Sequence, residues 1–239
     1  GLKLKFSKDN VKLGDDVWSF SLPSGYTCPG ACTCLAKADK ETGKLIRGPK
    51  TTTRCFSASQ EVAFSNLRRA RRHNLDMLQG LKTVEAIKAC LMDSMPAKVK
   101  TMRVHIGGDF YSQTYFDAWQ AVAAEHPKCK FYAYTKSIPF WINWLNRHKK
   151  LQPNFVLTAS RGGKFDDLIR PGMVTATIVE HPDEAKALGL KIDHDDKMAQ
   201  RATKNFALLI HGPQQPGTQQ AEALSRMRRE GVKFSYSRK

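Results

Sequence analysis

From about residue 102 onward the chain alternates short apolar strands with amphipathic helices, and few folds accept that order. Residues 102–106, 131–135, 155–159, 173–179, 206–210 and 232–236 read as strands. Residues 113–125, 139–148, 195–203 and 218–229 read as helices, with a shorter turn of helix near 183–187. Strands separated by helices favour a parallel sheet, because parallel neighbours need a crossover connection. Upstream, residues 17–22 alternate as a first strand and stop at Pro23 and Gly25. Residues 36–54 are polar, with Gly43, Gly48 and Pro49, and read as a loop or short hairpin. One long helix is expected over residues 57–81, and a second over 83–94 that ends before Pro96. The expected fold is α/β, a partial β/α barrel of about six to seven mainly parallel strands. It forms a single domain over 1–239, in which residues 1–60 carry a cysteine-rich loop and 61–239 the barrel-like part.

The strands also carry two phases. His105, Tyr132, Tyr134, Lys136, Thr158, Ser160, Thr175, Thr177 and His211 form a polar phase. Val104, Ile106, Phe131, Ala133, Phe155, Leu157, Val174, Ala176, Phe206 and Leu208 form the other. Side chains alternate across a strand, so the apolar phase should pack on helices and the polar phase line an interior or mouth. Ligands of α/β sheets gather at the C-terminal strand ends, where several of these polar residues fall.

The loop before residue 36 has its own chemistry. Cys28, Cys32 and Cys34 fall within seven residues, and Cys55 follows. No apolar run approaches the roughly 20 residues needed to span a bilayer, and nothing at the start resembles a secretion signal. In such a chain clustered cysteines read as metal ligands rather than disulfides. Four thiolates suit tetrahedral zinc or an iron–sulfur cluster. Three ligands on one loop suit the separate iron corners of a 4Fe-4S cluster better than one zinc ion. Iron–sulfur is therefore favoured, with zinc and plain buried thiols as alternatives. Cys90 and Cys129 read as core or surface thiols.

A cluster loop ahead of a β/α barrel resembles the radical S-adenosylmethionine enzymes. That resemblance implies a Gly-Gly-acid turn after the second strand to hold the cofactor's amino group, and Gly107-Gly108-Asp109 is similar. S-adenosylmethionine is thus a second possible cofactor, bound through Gly107, Gly108 and Asp109. The spacing departs from that family, with one residue between Cys32 and Cys34 where the family has two. Cys55 as a fourth ligand would also close the iron that the cofactor must reach.

Longer stretches resemble the phage and mobile-element family called gene product 88. They are Phe20-Ser21-Leu22-Pro23-Ser24-Gly25, Thr27-Cys28-Pro29-Gly30, Cys34-Leu35-Ala36-Lys37-Ala38-Asp39 and Arg54-Cys55. Farther on come His105-Ile106-Gly107-Gly108-Asp109-Phe110-Tyr111-Ser112, Tyr132-Ala133-Tyr134-Thr135-Lys136-Ser137, Ser160-Arg161-Gly162-Gly163 and His211-Gly212-Pro213-Gln214. The resemblance implies a phage origin and the cytoplasm of a host cell. It supplies no reaction.

Charge points to a partner. Lys and Arg number 39 against 22 Asp and Glu, a formal charge of +17. So large an excess is most easily understood with a polyanion as partner, DNA or RNA. Arg68, Arg69, Arg71 and Arg72 read as a basic helix surface for phosphates. Arg226, Arg228, Arg229, Lys233, Arg238 and Lys239 make a second cluster. Asp109, His105, Tyr134, Lys136, Ser160, Arg161 and His211 are the candidate residues of a mouth. There Lys136 and Arg161 could bind an anion and His105 or His211 move a proton. The other reading is a non-enzymatic nucleic-acid-binding protein with a structural or redox-sensing four-cysteine centre.

Overall fold

The computed structural model describes residues 1–8 and 16–234. Its first elements are β1 (Phe6–Lys8), β2 (Val17–Phe20) and a hairpin of β3 (Ala36–Ala38) and β4 (Leu45–Arg47). Three helices follow, α1 (Phe56–Ala63), α2 (Ser65–Gln79) and α3 (Val84–Ser94). Then come β5 (Thr101–Val104), α4 (Gln113–Glu125), β6 (Lys130–Thr135), α5 (Ile138–His148) and β7 (Phe155–Ser160). The chain continues through β8 (Thr175–Val179), α6 (Pro182–Ala187), α7 (Lys197–Arg201), β9 (Phe206–Leu209) and α8 (Gln219–Arg229).

Seven strands form one sheet in the order β1-β2-β5-β6-β7-β8-β9. β1 is antiparallel to β2, and every later neighbour is parallel. Once the β3–β4 hairpin is set aside, spatial order follows chain order. Among the described residues β1 and β9 are the two edges, so the sheet is open and no barrel closes.

Local signals explain most boundaries. Thr83, Ser112 and Thr218 cap α3, α4 and α8, each accepting a backbone N–H near 3.1–3.2 Å. Pro139 sits in the first turn of α5, where a missing N–H costs nothing.

Residues 57–81 differ from the expected single helix. Phe64 is extended (φ −122°, ψ 99°) and separates α1 from α2. No Gly or Pro marks the break. It is held by a tertiary bond, as the Arg68 guanidinium donates to the Glu61 carbonyl at the end of α1, 2.7 Å away. Residues 232–234 form no strand, and 235–236 lie outside the described residues.

The main core fills one face of the sheet. Phe20, Met102, Val104, Phe131, Ala133, Phe155 and Leu157 pack there against Leu78, Leu91, Trp119 and Trp141 of the helices. On the opposite face Tyr132 and Phe206 pack with Ala199 of α7. The two expected phases therefore hold in β6 and β7 and invert in β8 and β9. Ala176, Phe206 and Leu208 join the α7 side, while Val179, Ala207 and Leu209 face α6 and α8. The inversion follows from α6 and α8, whose Ala185, Leu224 and Met227 draw Val179, Ala207 and Leu209 to their side of the sheet.

Candidate functional site

The cysteine loop is built by two tight turns. Ala31 N–H donates to the Cys28 carbonyl (3.1 Å) and Leu35 N–H to the Cys32 carbonyl (3.2 Å). It docks on the C-terminal ends of β6 and β7. Lys164 N–H bonds the Gly30 carbonyl at 2.8 Å, and Thr33 Oγ1 bonds the Gly162 carbonyl at 3.1 Å. The Thr33 carbonyl in turn accepts Thr52 N–H (2.8 Å) and Thr53 N–H (3.1 Å). That pairing carries Cys55 back to the loop. Cys28, Cys34 and Cys55 lie near enough to act on one another's charge. Burial pushes the Cys28 thiol well up, and Asp109, Cys55 and Cys34 add to it against the Gly25 N–H. Burial and then Cys34 raise Cys55, against backbone N–H groups of Ala58 and Ser57 at the start of α1. Among the described residues no three His, Cys, Asp or Glu side chains gather as they would on one metal ion.

Gly30 is the contact on which docking depends. A Cβ there would sit 2.2 Å from the Lys136 carbonyl oxygen, which is backbone and cannot swing away. Gly30→Ala is expected to push the loop off the sheet and cost about 1–3 kcal/mol. Urea unfolding checks the loss, and a midpoint equal to the parent's would refute it.

The Gly-Gly-Asp turn is an internal latch. Gly108 takes φ +85°, and a Cβ there would lie 2.6 Å from Thr27 Oγ1 and 2.9 Å from the Leu22 carbonyl oxygen. Asp109 is 6% exposed. Its Oδ1 accepts Thr135 Oγ1–H and Phe110 N–H, both at 2.7 Å, and its Oδ2 accepts Lys136 N–H at 2.8 Å. Burial raises its pKa, while these three hydrogen bonds pull it down. The carboxylate ties the end of β6 to the turn after β5 and is not turned toward a ligand.

A cavity of about 240 Å³ opens at the C-terminal strand ends, beside Cys34 and Cys55. Of the expected mouth residues, His105, Tyr134, Lys136, Ser160 and His211 line it, with Gly108 from the turn. Asp109 and Gly107 do not. Arg161 is exposed and lines a different hollow with Arg170 and Lys204. Lys136 Nζ donates to Ser160 Oγ at 2.7 Å. His211 Nδ1 meets the Leu209 carbonyl at 3.2 Å, and its ring packs on Phe56 at 4.9 Å. The His105 ring is directed away, with Nε2 at 2.6 Å from Tyr115 Oη. Arg54, Arg103, Phe56, Ile178, Leu208 and Ile210 also line the cavity and were not among the expected mouth residues. Arg54 had a signal, its place beside Cys55; Arg103 had one in its strand phase, on the polar side of β5.

The sequence model of a family described as Gene product 88 matches residues 3–230. The chain belongs to the gene product 88 family. It is 33% identical over 120 residues to the Gene 88 protein of Mycobacterium phage L5, covering 49% of this chain and 47% of that one. The Gene 88 protein of Mycobacterium phage D29 is 32% identical over 120 residues, with the same coverage. The chain thus spans about half the length of the curated relatives it matches. No solved structure matches it. Radical S-adenosylmethionine enzymes are not among these relatives.

In this gene product 88 protein the four arginines of α2 do not form a common surface. Arg71 is buried, and its Nη1 lies 2.8 Å from Glu61 Oε2, with side chains 4% and 2% exposed. Arg68 caps α1, and Arg72 lies over the Tyr26 ring at 4.5 Å. Arg69 alone of the four is exposed, bonded to Asn66 Oδ1 at 2.6 Å. Among the described residues no helix is long and apolar enough to cross a membrane.

Proposed function

We propose that this phage-family protein holds an iron–sulfur cluster through Cys28, Cys32, Cys34 and Cys55 and binds or acts on nucleic acid beside it. The observation that carries the reading is the placement of Cys34 and Cys55 in the wall of a cationic cavity at the C-terminal strand ends. The mutual charge effects of Cys28, Cys34 and Cys55 support a shared centre. On one zinc ion, bonds of about 2.3 Å would draw four sulfurs to about 4 Å of each other. Three ligands crowded on one loop suit the separate irons of a cluster better than a single zinc ion. We read the sequentially ordered open sheet as a partial β/α barrel, which presents its strand ends to the cluster loop. When bound, the cluster supplies one-electron chemistry or a rigid cross-link between the loop and α1. Radical chemistry with S-adenosylmethionine has less support, because Asp109 is committed to the latch and four thiolates leave no open iron.

Iron and acid-labile sulfide analysis with electron paramagnetic resonance of anaerobically purified protein tests the cluster. About four irons and four sulfides per chain are expected for a cubane, and Cys28→Ala should lose most of them. A colourless protein with one zinc per chain would refute the cluster. Binding to DNA or RNA should weaken steeply with salt, and no binding at low salt would remove the nucleic-acid half.

A further inference from the structure

The cavity beside Cys34 and Cys55 has two unlike halves. One is cationic. Among the described residues its lining holds Arg54, Arg103 and Lys136 and no Asp or Glu. Arg103 is offset by Asp196 at 2.8 Å. Neither Lys136 nor Arg54 has a carboxylate within ion-pair distance among the described residues. Lys136 spends one of its three donors on Ser160 and aims from the end of β6. The Arg54 backbone is clamped by Gln214, whose Oε1 accepts Arg54 N–H at 2.8 Å. Among the described residues Arg54 Nε is buried with no partner. A buried guanidinium N–H left unpaired is costly unless an acceptor arrives.

The other half is apolar. Phe56, Ile178, Leu208 and Ile210 line it. Ile178 lies on β8, an inner strand, yet is 40% exposed, because it faces this space. An inner-strand isoleucine facing an open cavity is apolar surface without a partner.

We propose that this cavity binds a nucleoside monophosphate unit, with the phosphate on Lys136 and Arg54 and the base against the Ile178 side. A guanidinium fork and a point ammonium together match the several oxygens of a phosphate. A flat base suits the apolar wall. The inference deepens the nucleic-acid half of the reading above and does not need the cluster. The nucleotide can be free, or a unit turned out of a single strand.

The test is calorimetric titration of the full chain with adenosine and uridine 5′-monophosphates, inorganic phosphate, adenosine, and a 5′-phosphorylated single strand. A mononucleotide should bind at least about tenfold more tightly than phosphate or adenosine. Lys136→Met and Arg54→Met should each weaken it about tenfold or more. Ile178→Trp should fill the apolar half and weaken the nucleotide while sparing inorganic phosphate. Melting curves confirm that each variant is folded. A strand that binds no more tightly than the mononucleotide assigns the site to free nucleotide. Tighter binding that the mononucleotide competes away assigns it to a strand. The proposal is overturned if mononucleotides do not bind, bind no better than phosphate, or bind the variants unchanged. Strand binding that survives the variants and is not competed by mononucleotide also overturns it, yet leaves the wider nucleic-acid reading intact. Iron content of the same samples reports separately on the cluster. Variants that lose iron but keep nucleotide affinity would assign these cations to balancing the cluster's charge instead.

Discussion

Glu61→Ala is expected to lower the unfolding free energy by about 3–5 kcal/mol, because it strands the Arg71 charge in the interior. The pair is sealed, with the two side chains 4% and 2% exposed at a separation of 2.8 Å. Glu61 also accepts Ser24 N–H at 3.1 Å, and Arg71 donates to the Ser57 carbonyl at 3.3 Å. Four segments therefore meet at one ion pair: α1, α2, the entry to the cysteine loop, and the turn at Gly107, whose Cβ position lies 2.3 Å from Arg71 Nη1. The loss comes from the charge left behind more than from the attraction removed. The double variant Glu61→Leu, Arg71→Met should therefore recover much of it. Urea denaturation of Glu61→Leu, Arg71→Met and their double measures the coupling. Additive losses in the double variant would show that the pair is not coupled. With total stabilities typically about 5–15 kcal/mol, Glu61→Ala alone should leave a marginal protein.

The same pair shows what the sequence could and could not reveal. Arg71 stands in a run of like residues and looks like its neighbours. Only the break at Phe64 and the return of α2 past α1 choose it for the interior. Regular elements were legible where period and cap agree. α4 begins after its Ser112 cap and ends at Glu125 as expected. The phases of β6 and β7 also read correctly, since one face meets long helices. β8 and β9 inverted because α6 and α8 draw Val179, Ala207 and Leu209 to one face while Ala176 and Phe206 fill the other, a choice of face that the apolar residues on both sides of these strands do not reveal. The clustering of Cys28, Cys32 and Cys34 was visible as spacing. That Cys55 returns to Cys34 depends on backbone bonds from Thr52 and Thr53 to Thr33, which leave no mark on side-chain pattern. Asp109 was chosen for its acid after two glycines. Its three internal hydrogen bonds depend on Thr135 and on two backbone N–H groups that the fold brings there.

His105 supplies the second large effect, and it is a pH effect. Its ring is 4% exposed and lies among Phe20, Phe110 and Tyr115. Burial, with the Arg103 charge adding to it, lowers its pKa to about 3. In the unfolded chain the value is about 6.5. The native ring stays neutral where the unfolded one takes up a proton, so acid favours unfolding. The stability tied to neutral His105 is complete above pH 6.5 and is lost as pH falls toward 3. At about 1.4 kcal/mol per pH unit, the loss by pH 4 is about 3 kcal/mol from this residue. His194, also lowered chiefly by burial, acts in the same direction. The measurement must therefore be a difference between the parent and His105→Gln, a variant that keeps a polar partner for Tyr115 without a titrating ring. Urea midpoints at pH 7, 5.5 and 4 should converge as the parent loses its advantage. Parallel lines across that range would mean that His105 takes up its proton in the folded protein. That result would return it to the proton-transfer role expected from its place at the end of β5.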